Sequence, residues 1–93
     1  MEDLHLKLGK GSYIKEFHER NRDFLTYHKG ARETYQVNYA PGAGFYLLHK
    51  TVTRVGASAR KRQVLSFAES QRIIREILDH LSKHEVDAEE AEA

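Results

Sequence analysis

Leu4, Leu6 and Leu8 alternate with His5 and Lys7, a period of two that predicts a short half-buried strand ended by Gly9-Lys10-Gly11. Ser12 then stands where a helix N-cap would, with Glu16 in the first turns. Ile14, Phe17, Phe24, Leu25 and His28 recur at steps of three, four and seven. This spacing predicts a helix over about 13–28, with Gly30 just past its C-terminus. From Glu33 the period returns to two: Tyr35, Val37 and Tyr39 oppose Thr34, Gln36 and Asn38, a half-buried antiparallel strand. Pro41-Gly42 suits a type II turn, since Pro fixes φ and Gly tolerates positive φ. A second strand is expected over Phe45–Val55, apolar on both faces near its start and therefore central or bulged. The loop Gly56-Ala57-Ser58-Ala59 leads to a third strand, Lys61–Leu65.

Ser66 and Glu69 have capping-box spacing, and Ile73, Ile74, Ile77, Leu78 and Leu81 form a broad apolar stripe behind them. A helix over 67–84 follows, with Arg72–Glu76, Arg75–Asp79 and Asp79–Lys83 as solvent-side charge pairs four residues apart. The expected fold is α+β: a three-stranded antiparallel sheet with a short extra N-terminal strand, packed by two helices on one face. That arrangement leaves the other sheet face free. Residues 1–84 form the single domain, and 85–93 read as a disordered acidic tail with too little apolar content to fold.

Charge and composition sharpen this picture. All 15 Lys and Arg lie in residues 1–84 with nine of the 14 acids, a balance of +6, while the last nine residues carry five acids and no base. The 35 positions between Glu33 and Glu69 contain no carboxylate, but hold Lys50, Arg54, Arg60, Lys61 and Arg62 together with five of the nine aromatics. With no cysteine, disulfides, thiolate metal sites and thiol nucleophiles are excluded. The acidic N-terminus and the lack of a long apolar run argue against a signal peptide or a membrane span, and point to a cytoplasmic protein.

Catalytic chemistry finds little support. No nucleophile–His–acid order occurs in an elbow context, and the sheet region has no carboxylate, so the chain reads as a non-enzyme. His80 and His84 have the four-residue spacing a metal bridges, but two ligands do not complete a site, and neither metal nor cofactor is expected. Gly9-Lys10-Gly11-Ser12 lacks the full P-loop pattern and reads as a glycine-rich connection.

The acid-free window is the feature that points to a ligand. Cations at Lys50, Arg54, Arg60, Lys61 and Arg62 suit a phosphate backbone, and the rings of Tyr35, Tyr39 and Tyr46 suit stacking on unpaired bases, although aromatics in short strands also serve as core. The leading expectation is a small nucleic-acid-binding protein, with single-stranded DNA or RNA the form that stacking favours, or a regulatory accessory factor using this basic, aromatic sheet face. The alternative is a protein-interaction module, an inhibitor or adaptor of the kind small phage and mobile-element proteins provide, with a protein as its partner. The stripe through Ile74 and Leu78 is also wide enough to pair two protomers through the last helix.

The helix–three strands–helix order, with Tyr35-x-Val37 before a glycine-containing turn, resembles double-stranded RNA-binding domains. Phe67-Ala68-Glu69-Ser70-Gln71-Arg72 departs from that family's lysine-rich helix start. The resemblance is therefore one of element order, and it carries no site residues across.

Overall fold

A computed structural model describes residues 3–30, 32–40, 42, 44–56 and 62–91. In place of three strands and two helices, it holds eight strands and one helix: β1 (His5–Gly9), β2 (Ser12–Glu19), β3 (Arg22–Lys29), β4 (Glu33–Ala40), β5 (Phe45–Leu48), a 3-10 turn at His49–Thr51, β6 (Thr53–Val55), β7 (Arg62–Val64), α1 (Phe67–Lys83) and β8 (Ala88–Ala91). The chain is mostly β, and the element order shared with double-stranded RNA-binding domains is absent.

The main correction falls on 13–28. Ile14, Phe17, Phe24 and Leu25 match helical spacing, but the segment is a hairpin of β2 and β3 joined at Arg20-Asn21, with Glu19 opposite Arg22 and Tyr13 opposite His28. Tyr13, Ile14, Phe17, Phe24, Thr26 and Tyr27 are aromatic or β-branched residues that fit a pleated surface better than a helical turn. Ser12 caps no helix: its Oγ accepts from the Gly30 amide at 2.9 Å, tying the start of β2 to the end of β3. Gly30, with φ +68°, serves the turn between β3 and β4. The tight turn between β1 and β2 has positive φ at three consecutive residues, Gly9, Lys10 and Gly11.

The antiparallel ladder β1-β2-β3-β4 continues from β4 in two directions. Tyr35 and Gln36 pair with β6, which pairs with β7, whereas Tyr39 and Ala40 pair with β5. The strand expected over 45–55 is thus broken by the 3-10 turn, where Thr51 Oγ1 accepts from the Asn38 amide at 2.9 Å. Pro41 of the expected turn lies outside the described residues. The acidic C-terminal segment is not wholly a free tail, because Ala88–Ala91 pair parallel with β5 and the Phe45 amide donates to the Asp87 carbonyl at 2.9 Å.

Residues directly opposite in an antiparallel ladder share a face. One face carries Ile14, Leu25, Tyr27, Tyr35, Val37 and Tyr39, and it packs with Leu47, Val52 and the α1 stripe Ile73, Ile74, Ile77 and Leu81 in a single buried cluster. The helix matches its expected position closely: Ser66 Oγ accepts from the Glu69 amide at 3.2 Å and bonds its carboxylate at 3.0 Å. Glu76 extends the packing with polar contacts, accepting from the Tyr27 hydroxyl at 3.2 Å and pairing with Lys29 at 2.9 Å. Burial and the adjacent Glu76 charge push the Tyr27 hydroxyl up to about 12. Within that cluster Ile74 is fully buried and Leu78 half-buried.

Ile74→Ala is expected to destabilise the fold by about 2–5 kcal/mol, because the cavity lies beneath the whole sheet. Val64→Ala, at a residue 83% exposed, should stay within about 0.5 kcal/mol. Urea denaturation followed by circular dichroism measures both.

Candidate functional site

The helix-free face follows from the same register. From β1 it presents His5 and Lys7; from β2, Tyr13, Lys15, Phe17 and Glu19; from β3, Arg22, Phe24, Thr26 and His28; and from β4, Thr34, Gln36 and Asn38. Its aromatic rings are ordered across the strands. Tyr13 and His28 stack at 4.2 Å between centroids with planes 22° apart, and His5 meets Tyr13 edge-on at 5.5 Å. Phe17 stacks on Phe24 at 5.4 Å.

Cations lie over the second pair. Lys15 Nζ is 5.1 Å from the Phe17 centroid, and the Arg22 guanidinium is 4.1 Å from that of Phe24. Arg22 is aimed by its neighbours, donating to Gln36 Oε1 at 3.2 Å and Asn38 Oδ1 at 3.4 Å. Phe24 is 4% exposed yet lies outside the core cluster, so it forms a floor beneath Phe17 and Arg22. Burial lowers the His28 pKa, which favours a neutral imidazole beside Tyr13 at pH 7. Among the positions named on this face Glu19 is the one carboxylate, 3.7 Å from Arg22.

The residues singled out from sequence are distributed differently. Tyr35 and Tyr39 are 3% and 7% exposed and belong to the core under α1. Tyr46 is half-buried in β5, with its ring against Gly42 and Glu89 as its strand neighbour. Arg54 pairs with Tyr35 in the ladder and shares its side of the sheet, whereas Arg62 is exposed on β7. Lys50 is exposed on the 3-10 turn, and Arg60 and Lys61 lie outside the described residues. Among the described residues, Arg54 and Arg62 line one shallow pocket, but the tyrosines do not join them on a single surface. The residues missed, Tyr13, Lys15, Phe17, Arg22 and His28, carried a signal in Tyr13-x-Lys15-x-Phe17 and Arg22-x-Phe24-x-Thr26-x-His28: period-two runs on either side of Arg20-Asn21.

A second polar cluster lies on the core-side face, toward the Arg20-Asn21 turn that joins β2 and β3. His18 Nε2 is 2.9 Å from Glu16 and 3.2 Å from Asp3, while Nδ1 is 2.6 Å from Asp23. Asp3, Glu16 and His18 could offer ligand atoms to a metal, all within 4.8 Å of one another. A proton on His18 satisfies the same three carboxylates without an ion. The bond to Asp23 and the nearby Asp3 and Glu16 charges outweigh desolvation and raise the His18 pKa. Burial opposes ionisation of Glu16, but the Leu4 amide, the Tyr39 hydroxyl at 2.6 Å and His18 outweigh it and hold this carboxyl below its usual range. His80, one of the two histidines at the four-residue spacing, lies 3.4 Å from the Tyr27 hydroxyl.

No protein-family model, no curated protein and no solved structure matches this chain.

The cluster makes stability depend on pH. The raised His18 pKa stabilises the fold fully below its ordinary value of 6.5, and this contribution is lost as pH rises through the folded value. The lowered Glu16 pKa stabilises above 4.5, and that contribution is lost as pH falls through the folded value. The Tm difference between the native chain and His18→Gln is therefore expected to be largest between about pH 4.5 and 6.5 and to shrink at alkaline pH. A difference that stays the same from about pH 5 into the alkaline range would remove His18 as a charged partner.

Proposed function

We propose that this protein binds single-stranded nucleic acid on the helix-free face of β1–β4, as a cytoplasmic binding protein rather than an enzyme. The observation that carries the reading is the cross-strand Tyr13–His28 stack beside Phe17, with Lys15 and Arg22 over the neighbouring rings. Half-buried rings held flat against a sheet offer a π-face to a base at little cost in side-chain entropy, and each such stack contributes roughly 1–3 kcal/mol. Lys7, Lys15 and Arg22 lie along the same face, at spacings that allow a phosphate backbone to run across the strands. The near absence of carboxylates there removes the repulsion that a polyanion meets on an average surface. A duplex keeps its bases stacked inside, so a platform of half-buried rings favours the unpaired form.

Fluorescence anisotropy with labelled single-stranded and duplex oligonucleotides tests this over a salt series. Three phosphate contacts predict a log–log salt slope of about −2 for the single strand. Tyr13→Ala should weaken binding by roughly 5- to 150-fold, and Lys15→Ala should flatten the slope by about 0.7. Tyr35→Phe, a change inside the core, should leave affinity unaltered. No single-strand binding at low salt, or equal affinity in Tyr13→Ala and the native chain, overturns the proposal.

A further inference from the structure

The His18 cluster lies across the sheet from the proposed nucleic-acid face and gathers donors from three parts of the chain. Glu16 and His18 are two apart on β2 and share the core-side face, and Asp23 stands opposite His18 in the β2–β3 register. Asp3 reaches them from the segment before β1. An ionised carboxylate only accepts hydrogen bonds, so without an ion His18 must carry a proton on both ring nitrogens to meet all three. That imidazolium balances one carboxylate of the three. Among the described residues no Lys or Arg lies within 4.0 Å of Asp3, Glu16 or Asp23, so the remaining negative charge has no side-chain counterpart there.

Geometry separates an inner set of atoms from an outer one. His18 Nε2 is 2.9 Å from Glu16 Oε2 and 3.2 Å from Asp3 Oδ1, and the three atoms all lie within 4.8 Å of one another. In a tetrahedral zinc site with bonds of about 2.0 Å, ligand atoms sit about 3.3 Å apart, so the two measured edges need only a slight opening to seat an ion. The outer set aims the inner one. Asp23 accepts at Nδ1 at 2.6 Å, which fixes the tautomer whose Nε2 lone pair faces Asp3 and Glu16. Glu16 is held on both oxygens, by the Leu4 amide at 2.8 Å and the Tyr39 hydroxyl at 2.6 Å. The His18 and Asp3 side chains are 44% and 56% exposed, so an ion and a water ligand can reach the trio from solvent.

We propose that Asp3 Oδ1, Glu16 Oε2 and His18 Nε2 bind a divalent cation of the zinc class, with water as the fourth ligand and Asp23 and Tyr39 as positioning residues. The ion takes the place of the Nε2 proton, which is released to solvent. One imidazole and two carboxylates suit zinc, whereas Ca²⁺ takes about six to eight oxygens and Mg²⁺ an octahedral oxygen shell. Bound there, the ion ties the segment before β1 to β2 and clips the first strand of the ladder in place.

Isothermal titration calorimetry of the untagged, chelator-treated full-length chain with zinc chloride tests the site. One ion per chain is expected, with a Tm that rises with zinc concentration and much weaker binding of Mg²⁺ and Ca²⁺. Asp3→Asn, at an exposed residue outside the strands, should weaken zinc by about tenfold or more, and His18→Gln should abolish binding. Asp23→Asn should cost about 10- to 100-fold while keeping the one-to-one ratio. Replacing His80 and His84 together with Gln should leave the affinity as it was, and so should Tyr13→Ala. Asp3→Asn should in turn leave oligonucleotide anisotropy unchanged, so this site and the Tyr13–His28 face fail independently. No binding at submillimolar zinc, native affinity in Asp3→Asn, loss of binding only when His80 and His84 are replaced, or Mg²⁺ or Ca²⁺ bound as tightly as zinc would each overturn the proposal.

Discussion

The burial of one helical stripe against one face of the sheet is the constraint from which the other features follow. Ile73, Ile74, Ile77 and Leu81 have a single apolar surface to meet, formed by Ile14, Leu25, Tyr27, Val37 and their neighbours. Because strand side chains alternate, assigning those residues to the inside sends Tyr13, Lys15, Phe17, Arg22, Phe24 and His28 to the opposite side. A slip of one residue in the β2–β3 register would move lysine and arginine under the helix and expose Ile14 and Leu25. Composition of the helix-free surface and stability of the core are therefore set by the same register.

Polar contacts close the core at two ends, one between helix and sheet and one within the sheet. At one end, Glu76 joins Tyr27 and Lys29 to α1. At the other, Glu16 holds Tyr39 and the Leu4 amide while His18 bridges Asp3 and Asp23. Buried polar groups left without partners cost about 1–3 kcal/mol each. Among the described residues no buried side-chain nitrogen or oxygen lacks a hydrogen bond. The two ends differ in chemistry. The Glu76 end pairs with a lysine, whereas the His18 end gains its positive charge from an imidazole whose pKa is raised.

The parts of the fold legible in the sequence were those where one period fits and the alternative does not. The Ser66–Glu69 box followed by an isoleucine-rich stripe admits only a helix, and Tyr35-x-Val37-x-Tyr39 admits only a strand. Between Tyr13 and His28 both periods fit, because Ile14, Phe17, Phe24 and Leu25 satisfy a helical wheel while Ile14 and Leu25 satisfy a shared strand face across a hairpin. Tertiary pairing decides such a case, and pairing is invisible in a single local window. The same ambiguity displaced the candidate site. A basic, aromatic sheet face was sought at Tyr35 and Tyr39, but these rings, which mark the strand most clearly, do so because they are buried. The parallel strand β8 was hidden for a related reason: Ala88-Glu89-Glu90-Ala91 has weak strand propensity and is ordered by β5, about forty residues earlier in the chain.

That pairing bears on how the molecule assembles. The contacts among β1, β2, β3 and β4 join residues close in sequence and can form as successive hairpins on a microsecond scale, about 1–10 μs each. The β5–β8 ladder must wait until β6, β7 and α1 have brought the chain back, since Phe45 meets Ala88 only after a long loop has closed. During synthesis the meander can leave the ribosome and begin to fold while the edge of β5 remains open, until Ala88–Ala91 emerge to cover it. Strand β8 is in that sense a late seal: until it arrives, the nascent sheet has an unoccupied strand edge, and afterwards that edge bears the two carboxylates of Glu89 and Glu90.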